Sequence, residues 1–154
     1  MIAPQSSGSH LKVSPRDIAL ALIAILYASS AVLKLTALTQ LNDSIGSAGL
    51  FPARWSGPIG ILTIAAELTA ALLIVIPLVR SKGIFLAQCL SALFFGYSLW
   101  RFYQDIPVPC SCFGPLFTVP PLAMVLLNVV ILTVLTLISH SYAGLSESQH
   151  TTLP

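Results

Sequence analysis

Four stretches of this chain are each long and apolar enough to cross a lipid bilayer, and this limits the fold more than any other feature. They run over residues 18–38, 59–79, 84–103 and 121–141, and a hydrocarbon core of about 30 Å takes about 20 residues of helix. Inside lipid the backbone has no water to bond, so each stretch predicts a helix. The expected fold is all-α, a four-helix transmembrane bundle forming one membrane domain over residues 17–141, with polar tails at 1–16 and 142–154.

Composition agrees. Of 154 residues 56% are hydrophobic and 8% charged, where a soluble domain carries about a quarter charged. A net charge of +2 from 7 basic and 5 acidic residues is too small for a nucleic-acid footprint; the lipid bilayer is the main partner. The linker "TQLNDSIGSAGLFPARWSGP" is polar and rich in Gly and Pro, and "RSKG" reads as a tight turn between antiparallel neighbours. Lys12, Arg16 and the small residues of "YASSA" resemble a signal peptide, but the apolar run continues through Val32, Leu33 and Leu35, as in an uncleaved anchor. Lys12, Arg16, Arg80 and Lys82 fall on the side of the termini, against Arg54 and Arg101 opposite. The positive-inside rule therefore makes both termini cytoplasmic and turns the loop before the last span outward, in a multi-pass protein of a bacterial inner membrane.

That loop carries "QDIPVPCSCFGP", with two of the three cysteines, Cys110 and Cys112, one residue apart. Thiols on the outer side meet an oxidising environment and serve as disulfides, redox centres or metal ligands. A structural staple closes a long loop, whereas closing one intervening residue removes little unfolded-state entropy. A Cys-x-Cys bond is strained, and strain makes a disulfide easy to exchange. Two incidental loop thiols are the bland alternative. Cuprous ion or zinc is the other chemical reading, but His10, His140 and His150 lie on the cytoplasmic side and Cys89 in the inner half of its span. No metal site within the chain is expected, and a copper site would need a partner or a second copy.

Ionisable groups within spans suggest function by default. Lys34, Glu67, Arg101 and Asn128 each belong to a different span, and all fall in the half capped by the cysteine loop. They predict a polar pocket with Lys34 and Glu67 as ion-pair partners. Lys34 and Arg101 could instead snorkel to headgroups, and Asn128 could be glue between helices; the short carboxylate of Glu67 cannot reach water. Tyr27 and Ser30 share the face of Lys34, and Thr63 that of Glu67, while Gln88, Ser91 and Ser98 share one side of the third span. Cys89 reads as a buried, inert thiol.

A first span ending in "ASSAVLKL", a second with "AAELTAALLIV", an Arg closing the third, then "PCSCFG" and "LNVVIL" together resemble the methylamine utilisation protein MauE family, within the wider DoxX-like membrane proteins. The likeness covers about residues 17–140; Ser111 stands where Gly is common, and Leu127 precedes Asn128 where Arg is often seen. The resemblance implies a redox-associated membrane protein acting in maturation of methylamine dehydrogenase, an exported disulfide-bonded client, beside a thioredoxin-like periplasmic protein. On matching positions it implies Cys110 and Cys112 as the redox pair, with Phe113 and Gly114 shaping the loop. Thiol–disulfide exchange would make the chain an oxidoreductase. A quinone near Lys34 and Glu67 is one route for the electrons, by analogy with vitamin K epoxide reductase. The competing classes are a non-enzymatic scaffold and a cuprous-ion handling subunit.

Overall fold

The computed structural model describes residues 14–104 and 120–150. Five α-helices account for most of them: α1 (Pro15–Thr36), α2 (Leu38–Ser47), α3 (Ser56–Val75), α4 (Arg80–Tyr103) and α5 (Pro121–His150). Four helical segments, all but α2, are long and apolar enough to span a bilayer, as the sequence predicts.

Local sequence explains the boundaries. Ser14 caps α1 by accepting from the Arg16 amide at 3.4 Å, and Pro15 occupies the first turn, where its missing N–H costs nothing. α3 stops at Val75 because Pro77 follows, and the residue before a proline is pushed out of the helical region; Ile76 is extended, with φ −84° and ψ 113°. A single 3-10 turn, Pro77–Val79, then leads into α4. The turn thus lies at 76–79, and "RSKG", expected to be the turn itself, is the first turn of α4. Gly83 is what permits this tight corner, since a Cβ there would stand 2.6 Å from the Ile74 backbone nitrogen. α5 continues past the expected end at Ser141 to His150.

The linker between the first two spans also departs from expectation. Its first nine residues belong to the helix α2, because Leu38, Leu41, Ile45 and Ala48 recur at helical spacing and give it one apolar edge. Leu41 packs with Ala31 and Ile64, backed by Leu38, Ile45 and Leu68.

α3 packs on α1 and α4, and α4 packs on α5, while α1 meets α5 along a much slighter seam. The alternating path makes an up-down bundle. Its apolar core fills the half nearest the start of α1, where Leu20, Ile23 and Ala24 meet Ala71 and Ile74, Ile84 and Ala87, and Leu135 and Ile138. At that end Arg80 of α4 donates to Asp17 of α1 at 2.9 Å and to the Ile74 carbonyl at 3.2 Å. The opposite half holds most of the buried polar groups, beside the smaller apolar cluster under α2.

Candidate functional site

Helical spacing builds the polar half. Tyr27, Ser30 and Lys34 lie three and four residues apart on the inward face of α1, and all are buried. From α3, Glu67 enters the same space with only 1% of its surface exposed. The Lys34 ammonium pairs with Glu67 Oε1 and donates to Ser30 Oγ at 3.0 Å, and Ser30 donates to the same carboxylate oxygen at 3.3 Å. The Phe94 ring of α4 lies 4.7 Å from the ammonium, a cation–π contact. Lys34, 2% exposed, therefore turns inward to Glu67 and does not snorkel.

Tyr27 bridges to α4, donating to the Ala87 carbonyl at 2.9 Å, with its hydroxyl 2.7 Å from Ser91 Oγ. Asn128 of α5 is buried and lines the same small cavity as Lys34 and Glu67. Its amide donates to the Met124 carbonyl of its own helix at 2.9 Å, where the sequence suggested a bond between helices. The cavity is partly open, is lined also by Leu26 and Leu127, and holds about 30 Å³. That is room for one or two waters. Glu67 Oε2 is buried there with no hydrogen-bond partner among the described residues, an acceptor that a water would satisfy.

Arg101 is not part of this cavity. It is 1% exposed, and its guanidinium donates to Ser44 Oγ of α2 at 2.9 Å and to the Tyr97 hydroxyl at 3.2 Å. Tyr97 in turn donates to the Ser44 carbonyl at 3.1 Å. The four groups expected in one pocket thus form two centres, Lys34–Glu67–Asn128 within the bundle and Arg101–Ser44–Tyr97 under α2. Sequence reading missed Ser44, Tyr97 and Phe94. Ser44 was signalled only by the amphipathic spacing of α2, and Tyr97 by lying one turn before Arg101.

The remaining polar positions divide. Ser91 and Ser98 are buried, whereas Gln88 reaches Thr136 and Ser139 of α5 at 3.5 Å each. Thr63 is half-buried and bonds back to the Ile59 carbonyl. Cys89, expected to be buried, is exposed on the outer surface of α4; its neighbours Ala87 and Leu90 occupy the inward face instead. Cys110, Cys112, Phe113 and Gly114 lie outside the described residues.

No curated protein and no solved structure gives a significant match to this chain. A family model does match, over residues 12–141, a region that holds all four spans, both polar centres and the Cys-Ser-Cys sequence. The chain is a multi-pass membrane protein and belongs to the methylamine utilisation protein MauE family.

Proposed function

We propose that this protein supports thiol–disulfide exchange at the outer face of a bacterial inner membrane, through Cys110 and Cys112. The process it serves is maturation of an exported, disulfide-bonded enzyme such as methylamine dehydrogenase, beside a thioredoxin-like partner. One observation carries the reading: a Cys-Ser-Cys pair, too closely spaced to be a useful staple, lies within the matched family region. Tyr103 and Pro121, the helix ends that bracket the cysteine segment, belong to the end of the bundle that carries Arg101.

In the exchange, the thiolate of one cysteine attacks the partner's disulfide. A mixed disulfide forms and one partner sulfur leaves as a thiolate. The second cysteine then attacks the mixed bond, releasing the partner as a dithiol and leaving Cys110 and Cys112 joined. Two electrons pass to the partner, and the two protons lost by the cysteines balance those it takes up. Maturation of a disulfide-bonded client uses these steps in reverse: the resting Cys110–Cys112 disulfide accepts two electrons, and the partner's dithiol is oxidised to a disulfide.

Thiol trapping in intact cells tests this. A membrane-impermeant maleimide should label the pair only after mild reductant, and Cys110→Ser or Cys112→Ser should accumulate a mixed disulfide with the partner. Free labelling without reductant, in a protein that matures its client normally after either substitution, moves the scaffold reading ahead.

A further inference from the structure

We propose that the segment Leu50–Trp55, between α2 and α3, is a membrane-surface anchor seated in the headgroup layer of the bilayer, holding α2 over the polar end of the bundle. Within six residues this segment exposes Leu50, Phe51 and Trp55, the last two each at 51%, with Arg54 exposed between them. Such a cluster is unfavourable in water. Its chemistry is that of a bilayer interface, where amphipathic rings sit at headgroup level and a guanidinium meets lipid phosphate.

Continuity of the surface selects lipid as the occupant. Trp55 immediately precedes the first residue of α3, at the same end of the bundle as the last turn of α4. That last turn exposes Trp100, Phe102 and Tyr103. Both tryptophans of the chain therefore stand within one turn of a membrane-span end, on one side. At the opposite end, among the residues whose burial is described, Phe85 is the one exposed aromatic. The anchor extends this one-sided aromatic belt outward from the spans.

α2 has the complementary pattern. Thr39, Gln40, Asp43 and Ser47 are exposed, and Leu41, Ser44 and Ala48 are buried against the bundle. It thus turns a polar face outward and covers Arg101 through Ser44. The chain then returns through Gly49, whose φ of +67° is open to glycine at little cost, and presents the anchor. α2 is fastened on two sides, by Arg101 within the protein and by lipid at Phe51 and Trp55.

This inference rests on the membrane-spanning fold and not on the thiol chemistry. The test uses the full chain with Trp100→Phe, leaving Trp55 as the single tryptophan, in nanodiscs of phosphatidylcholine. Folding is checked by helical circular dichroism and a single size-exclusion peak. Emission of Trp55 should be quenched by lipids brominated near the carbonyl end of the acyl chain more than by lipids brominated near the methyl end, and should resist aqueous iodide. Strong iodide quenching with none from brominated lipid places the segment in water and overturns the proposal. Protection from both quenchers places it against protein, a second copy included, and overturns it equally. If Trp100→Phe fails to fold, an environment-sensitive fluorophore on Phe51→Cys, in a chain with its native cysteines replaced by serine, gives the same three outcomes.

Discussion

Lys34 and Glu67 are both withdrawn from solvent, and each is the other's main compensation. Breaking a buried pair by removing one member costs about 3–5 kcal/mol, because the remaining charge is left uncompensated, whereas replacing both with apolar groups is often neutral. Lys34→Met and Glu67→Leu should therefore each lower the unfolding temperature in detergent sharply, and the double variant should recover most of the loss. Strictly additive effects would show that the two charges do not depend on each other. Tyr27 makes a different kind of link, a hydroxyl shared between the Ala87 carbonyl and Ser91. Tyr27→Phe leaves a buried serine hydroxyl without this partner and should cost about 1–3 kcal/mol in the same melt. The inward residues of α1 were legible in sequence because ionisable groups are rare in lipid-spanning segments. Their division into two centres was not, since depth along a helix does not specify which neighbour a long side chain reaches.

Among the elements, α2 and the α3–α4 corner were misread for separate reasons. The α2 sequence is too short and polar to resemble a span, and its apolar residues matter only because α1 and α3 offer a surface for them. The corner was misplaced because a basic, glycine-containing tetrapeptide resembles a turn, while Pro77 sets the actual break. Gly83 follows from that geometry. Gly83→Val would force a side chain into the α3 backbone and should cost about 1–3 kcal/mol or more, seen as reduced folded yield and a lower melting temperature, while valine at the open Gly96 should leave the packing contacts intact. Ser44→Ala removes the hydroxyl that Arg101 meets. It should loosen α2 selectively, read as faster protease cleavage within residues 38–55 with the spans still protected.

For the whole molecule, the decisive property is sidedness. One end carries the apolar core and the Asp17–Arg80 bridge, and the other carries the buried charges, α2 and the aromatic belt. If the termini are cytoplasmic, Asp43→Cys on the exposed face of α2 should react with an impermeant maleimide in intact cells. Ser81→Cys should react only after lysis, both tested in a chain with its native cysteines replaced by serine. The reverse pattern would invert the orientation and place the Cys-Ser-Cys pair in the reducing compartment, against the exchange reading. Sequence alone determined the four spans, because burying a backbone in lipid admits few solutions and apolar length records the choice directly. It also carried the family likeness through residues at fixed positions along those spans. Only the tertiary structure decided that Lys34 meets Glu67 beside Phe94, that Arg101 turns inward to α2, and that Asn128 lines the same cavity as the ion pair. Those outcomes depend on which helix faces neighbour one another, and in a uniformly apolar chain the faces are set by packing between helices rather than by any pattern within one.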